Sequence, residues 1–156
     1  MSNNSRIPEA RFTFRHKLPL QLRFTDVDMF GHVNNTVYLQ YCDLGKLRYF
    51  NAALGGDFLN SELQVVVVNI NCDFHAPSFL NETLEVWTAI DSIGEKSLTL
   101  EQRIVNPETD EVKFIAHTVM VGFDPNTLQS ALIPDGPRKA FEAYEQRKLN
   151  QITNIS

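Results

Sequence analysis

From Arg23 to Leu39 the chain reads Arg-Phe-Thr-Asp-Val-Asp-Met-Phe-Gly-His-Val-Asn-Asn-Thr-Val-Tyr-Leu. Two carboxylates, Asp26 and Asp28, stand just before Gly31, His32, Asn34 and Asn35. The stretch has no periodicity and contains a glycine, which reads as an ordered loop. Asn34 or Asn35 can cap a helix by accepting from an orphan N–H of its first turn. Such a terminus presents unpaired N–H groups and roughly half a positive charge. It can bind an anion or polarise a carbonyl oxygen. A carboxylate a few residues upstream could act on the carbonyl carbon, as base for water or as nucleophile. The same residues also read as a polar loop with one cap and two solvated aspartates.

Elements on both sides must hold that loop. Upstream, Phe12–Phe24 mixes apolar and polar residues around Pro19. Proline cannot donate to a ladder, so an edge or bulged strand is predicted. Downstream, a helix is predicted from Asn34 or Asn35 to about Ala53, closed by Gly55-Gly56. Val37, Tyr38, Tyr41, Cys42, Leu44, Gly45 and Tyr49 share one broad arc at about 100° per residue. Leu39, Leu47 and Phe50 lie on the other side, and Gln40, Asp43 and Lys46 form a thin polar strip. A helix apolar over most of its circumference is a buried one.

The period then changes. Gln64–Phe74 is β-branched and continuous, as in a strand buried on both faces or paired with something large. Thr83–Ile93 and Ser97–Asn106 are strands about a turn at Ser92-Ile93-Gly94-Glu95-Lys96. Asn106-Pro107-Glu108-Thr109-Asp110 turns into a long strand, Glu111–Phe123, and Asp124-Pro125-Asn126-Thr127 turns again. Pro137–Leu149 reads as a shorter amphipathic helix with proline at its start. Hairpins imply antiparallel pairing. The order implies an α+β architecture, one antiparallel sheet curled around one long helix.

With 156 residues, 43% hydrophobic and 21% charged, the composition excludes a largely disordered chain. One domain is expected over 11–149, between a flexible lead, 1–10, and a flexible tail, 150–156. The net charge of −5 argues against nucleic-acid binding but not against a small anionic ligand. Cys42 and Cys72 lack the number and spacing for a disulfide scaffold or a metal set, and read as small hydrophobes in a reducing compartment. The longest aliphatic run, Val65–Val68, is far short of the ~20 residues of a membrane helix. Residues Met1–Ala10 show no signal-peptide core. The expectation is a cytoplasmic protein with no membrane partner.

Asp26, Asp28, Gly31, His32, Val33, Asn34, Asn35, Tyr38 and Leu39 together resemble a known signature. It is that of the hotdog-fold acyl-CoA thioesterases, the 4-hydroxybenzoyl-CoA thioesterase-like family. The resemblance continues through Tyr41-Cys42-Asp43, Asp73-Phe74-His75-Ala76-Pro77 and Glu82-Thr83-Leu84-Glu85-Val86, and covers roughly Leu18 to Phe123. It implies a hotdog fold, an antiparallel sheet wrapped around a central helix, in a homodimer or homotetramer with active sites at subunit boundaries. It implies hydrolysis of acyl-CoA, or of an acyl-carrier-protein thioester, to the free acid, with no cofactor and no metal.

Carried over by residue, the resemblance puts the catalytic carboxylate at Asp28, as general base or nucleophile. The carbonyl-polarising N–H falls at Asn35. Asp26 becomes the structural member of the pair. Gly31, His32, Val33, Asn34 and Tyr38 become substrate-binding candidates, with His32 either shaping the loop or touching the thioester end. Lys46 stands where a close branch often has Arg. His16, His75 and His117 match no catalytic pattern. Two other readings fit the same fold. An enoyl-thioester hydratase would use an Asp and a His five residues apart, whereas Asp28 and His32 are four apart. A non-catalytic acyl-ligand binder would have no use for Asp28. Hydration of crotonyl-type thioesters, or absence of any turnover, separates these from hydrolysis.

Overall fold

The computed structural model describes residues 6–150. Its first strand, β1, spans His16–Pro19, and a single 3-10 turn at Phe24–Asp26 leads into the site loop. Helix α1 spans Asn35–Ala53. Strands β2, Val65–Phe74, β3, Glu85–Ile93, β4, Ser97–Asn106, and β5, Glu111–Asp124, follow, then the short β6, Gln129–Ser130, and helix α2, Asp135–Glu145. The sheet order is β1-β3-β4-β5-β2, with every pairing antiparallel and β6 added to β5. This is the antiparallel sheet around a central helix that the resemblance implies.

The predicted first strand proves much shorter. Pairing begins at His16 and ends at Pro19, after which Leu20 N–H donates one more bond to the Leu84 carbonyl. The strand is at the sheet edge, where a proline costs no ladder bond. Asn34 is the helix cap, its side chain accepting from Thr36 N–H at 3.0 Å. Gly55 adopts φ +73° just past α1, a left-handed residue at the helix end.

Helix α1 buries two aromatic-rich clusters against the sheet. Val37, Tyr38, Tyr41 and Cys42 pack with Val86, Ile104 and Phe114, while Tyr49 and Phe50 pack with Ile90, Leu100, Met120 and Phe141. Between them the backbone approaches the sheet at Gly45, where a Cβ would lie 2.9 Å from Val86. Gln102 joins the layers there, its amide donating to the Cys42 carbonyl at 2.9 Å and to Thr88 Oγ1 at 3.0 Å. The polar strip is displaced from its expected place. Lys46 is only 8% exposed and Leu44 is 41% exposed. Cys42 is buried and Cys72 half-buried, both as free thiols, and burial pushes the Cys42 thiol up to about 12.

Two further expectations change. Helix α2 starts earlier, at Asp135, and stops at Glu145 because Gln146 turns left-handed at φ +56°. The chain beyond it is tied down instead: Arg147 donates to the Ile90 and Asp91 carbonyls, and Ile93 N–H donates to the Leu149 carbonyl. Within this chain β2 is not buried on both faces. It is the second edge of the sheet, with Val66, Val67, Val68, Ile70 and Phe74 exposed. Of the expected lead and tail, residues 1–5 and 151–156 lie outside the described residues; the Pro8 carbonyl accepts from Arg103 at 2.8 Å. Among the described residues no helix is long and apolar enough to cross a membrane.

Candidate active site

The loop before α1 folds back on itself through Asp28. Its N–H donates to the His32 carbonyl at 2.8 Å, and its carbonyl accepts from Gly31 N–H at 3.0 Å. Its side chain closes the same turn, since Oδ1 accepts from Phe30 N–H at 2.9 Å and from His32 N–H at 3.2 Å. These bonds anchor Oδ1, while no described residue bonds Oδ2. Gly31 makes the turn possible with φ +79°, a region L side chains rarely adopt.

Asp26 is used differently. Its Oδ2 accepts from Arg23 N–H at 2.9 Å and from the Tyr41 hydroxyl at 2.8 Å, and its carbonyl accepts from Asn34 N–H at 2.9 Å. Burial, then the carboxylate beside it, raises the Tyr41 phenol far above its ordinary range. Asp26 therefore fastens the loop to the helix start from both backbone and side chain.

A cavity of about 280 Å³ opens where the loop meets α1, walled by Asp28, His32, Val33, Asn35 and Tyr38 on one side. The opposite wall is Phe74, His75, Ala76 and Pro77, at the end of β2. Five of the seven residues expected at the site thus meet at one cavity. Gly31 and Asn34 do not line it; one shapes the turn and the other caps the helix. The Asn35 N–H is in the first turn of α1 and has no acceptor among the described residues. It sits at the positive end of a 19-residue helix.

The remaining wall residues are held by aromatic and polar contacts. His32 sets its ring edge-to-face on Phe79, centroids 5.0 Å apart, and its backbone bridges to the same residue. Tyr38 stacks on Phe114 at 5.2 Å and donates its hydroxyl to Ser78 Oγ at 2.8 Å. Val33 N–H donates to the Ser78 carbonyl at 2.8 Å. His75 matched no catalytic pattern in the sequence, yet it lines the same cavity as Asp28. Its place directly after β2, in Phe74-His75-Ala76-Pro77, was the available signal. His117 lies away from the cavity, beside Glu101 at 3.1 Å. Among the described residues no three His, Cys, Asp or Glu side chains are placed to share a metal ion.

A family model described as the thioesterase-like superfamily matches residues 22–141, which span the loop, α1 and the whole sheet beyond β1. The chain belongs to that superfamily. Among its relatives is the uncharacterized protein YsmA of Bacillus subtilis, 32% identical over 72% of this chain and 74% of the relative. The long-chain acyl-CoA thioesterase FadM of Escherichia coli is 26% identical over 85% of this chain and 96% of its own. A thioesterase of Thermus thermophilus, solved in complex with coenzyme A and Zn, superposes with a TM-score of 0.76 at 28% identity, covering 85% of this chain and 96% of that one. These thioesterase-like neighbours bear out the hotdog fold and the expectation of a thioester hydrolase.

Proposed function

We propose that this superfamily member hydrolyses acyl-CoA thioesters to a free acid and CoA, with Asp28 and the start of α1 as its reacting groups. The observation that carries the reading is their juxtaposition: a carboxylate held through one oxygen, and an unbonded Asn35 N–H, on one cavity wall. Relatives named as acyl-CoA thioesterases supply CoA as the carrier. An acyl-carrier-protein thioester presents the same bond and is a second substrate for the test.

The thioester carbonyl oxygen would lie against the Asn35 N–H, where the helix terminus holds the developing oxyanion. Asp28 Oδ2 would take a proton from water as that water attacks the carbonyl carbon. Collapse of the tetrahedral species then expels the CoA thiolate, which takes the proton that Asp28 had accepted, and leaves the carboxylic acid with Asp28 ionised again. As a nucleophile, the same oxygen would form a mixed anhydride that water opens to the same products. Tyr38, Phe74 and Val33 would give the acyl group an apolar wall, with His32 and Gly31 setting the loop. The proposed setting is the cytoplasm.

Exposure of Asp28 and of the β2 edge in the single chain supports assembly into a homodimer or homotetramer. Pairing β2 with its copy would continue the sheet and cover its valines, and the second subunit would close the site. A screen of acyl-CoAs by chain length, with aryl-CoAs and an acyl-carrier-protein thioester, tests the activity through free-thiol release. Turnover of one class at rates abolished by Asp28→Asn supports the reading; no release from any of them refutes it.

A further inference from the structure

The far wall of the cavity is held by a buried cation. Lys113 is 2% exposed, on a strand otherwise lined by apolar and uncharged side chains over Phe114–Ala116. It occupies a bulge: Val112 pairs with Val105 and Phe114 with Ile104, which leaves Lys113 without a partner on β4. Bulges re-aim side chains and are common beside active sites. This one turns Lys113 toward the segment after β2.

Both ends of the lysine grip that segment. Its carbonyl accepts from His75 N–H at 2.8 Å and Ala76 N–H at 3.2 Å. Its Nζ donates to the Pro77 carbonyl at 3.0 Å, to Glu82 Oε1 at 3.1 Å, and to Glu111. Glu82 then accepts from Phe79 N–H at 3.0 Å through Oε1 and from the Asn106 amide at 3.0 Å through Oε2. Burial raises the Glu82 carboxyl, but bonds from Lys113 and Asn106 outweigh it and hold it below its ordinary range. Between Pro77 and Glu82, the two points that Nζ holds, the chain carries Ser78, which takes Val33 N–H and the Tyr38 hydroxyl, and Phe79, which pairs with His32.

We propose that Lys113 and Glu82 are a positioning pair for the thioester site, fixing the His75–Pro77 wall and, through Ser78 and Phe79, the link between Asp28 and the α1 terminus. Neither residue touches substrate. Buried ion pairs add little net stability over an apolar pair of the same size, because desolvation offsets their attraction. What the side chains of this pair supply is the direction of two backbone groups, the Pro77 carbonyl and the Phe79 N–H, beside the cavity. The inference rests on the hydrolase reading, since its kinetic test needs turnover.

The test replaces the pair together, Lys113→Met with Glu82→Leu, so that no lone charge is left buried. Lys113→Arg is the conservative control. At a temperature where circular dichroism shows each variant fully folded, the double variant should lose about tenfold or more in kcat, as expected for misplaced reacting groups, with KM within about twofold. Lys113→Arg should stay within about threefold of the parent. Hydrogen exchange should rise at Val33 and His32, relative to Leu100 in the core. A folded double variant with parental kcat and unchanged exchange at Val33 overturns the proposal. So does a loss that Lys113→Arg shares in full. If the parent releases no thiol from any acyl-CoA, the hydrolase reading falls by itself, and exchange at Val33 still decides whether the pair braces the loop.

Discussion

The Tyr41 hydroxyl donates to Asp26 Oδ2 at 2.8 Å, whereas the Asp28 carboxylate, two residues on, accepts among the described residues only at Oδ1 and only from backbone N–H groups of its own turn. One aspartate is spent on attaching the loop to the helix; the other keeps an oxygen free at the cavity. Asp28→Asn should therefore retain the fold and lower kcat by ~10²–10⁴, the usual span for a positioned acid–base group. The amide oxygen can still accept from Phe30 and His32, so the turn survives. Asp26→Asn should cost less activity but more stability, because the Tyr41 and Arg23 bonds weaken. Steady-state kinetics and urea unfolding on both variants give the ranking. A reversed order of activity would mean that the roles are exchanged.

At Gly31 the demand is on the backbone alone. Its φ of +79° is the left-handed region, yet a Cβ there would meet nothing within 4 Å. Gly31→Val should cost about 1–2 kcal/mol through φ, roughly 2–8 °C in Tm, and should lower activity by shifting Asp28. Gly31→Asn should be far milder, since asparagine tolerates this conformation. Equal Tm values for parent and Gly31→Val, by scanning calorimetry, would show that the turn can relax.

What the sequence made legible was local. The Asn34 cap, the glycine after α1, Pro19 on an edge strand and the turns after Ile93 and Asn106 all depend on neighbouring residues, and all were readable. The positions that escaped depend on the sheet's path. Lys46 goes inside and Leu44 outside because the sheet curves past one side of α1, which periodicity cannot indicate. His75 reaches the cavity because β2 returns beside β5, far from the loop in sequence. Helix α2 stops at Gln146, a left-handed residue with no glycine to announce it. The bulges at Val68 and Lys113 likewise leave no mark in composition.

On the outer face of the sheet, His117 and the buried Glu101 form a titratable pair, with Asp91 and Arg103 close by. The bond to Glu101 raises the His117 imidazole above its ordinary 6.5. Burial pushes Glu101 up, but bonds from His117 and Arg103 prevail and hold it below its ordinary 4.5. The raised imidazole stabilises the fold fully below pH 6.5 and loses that contribution as pH climbs through its folded pKa. The lowered carboxyl stabilises above pH 4.5 and loses its contribution as pH falls. His117→Gln should thus flatten the decline in stability that sets in as pH rises above about 6.5. The difference should not exceed about 1 kcal/mol, because the imidazole is partly solvated. Urea unfolding of parent and variant across that range measures it; parallel curves would mean that the pair is not linked to folding.

The last prediction concerns the open edge. Val66 and Val67 pair with β5 on one side only, and Val68 is unpaired at the bulge and 56% exposed. A long apolar edge in water templates association with other strands. A symmetric copy of the same strand is the simplest closed partner, since each chain then covers the other's edge. Val66→Asp with Val68→Asp should introduce like charges facing each other across such an interface, and yield a monomer by light scattering. If the active site is completed by the second subunit, thiol release should vanish with the dimer, while circular dichroism keeps the helix and sheet signals. Neither valine lines the Asp28 cavity, so a loss of turnover with those signals kept points to assembly. A parent protein that runs as a fully active monomer would sink strand pairing and the shared site together. A monomeric variant with parental turnover would sink the shared site alone.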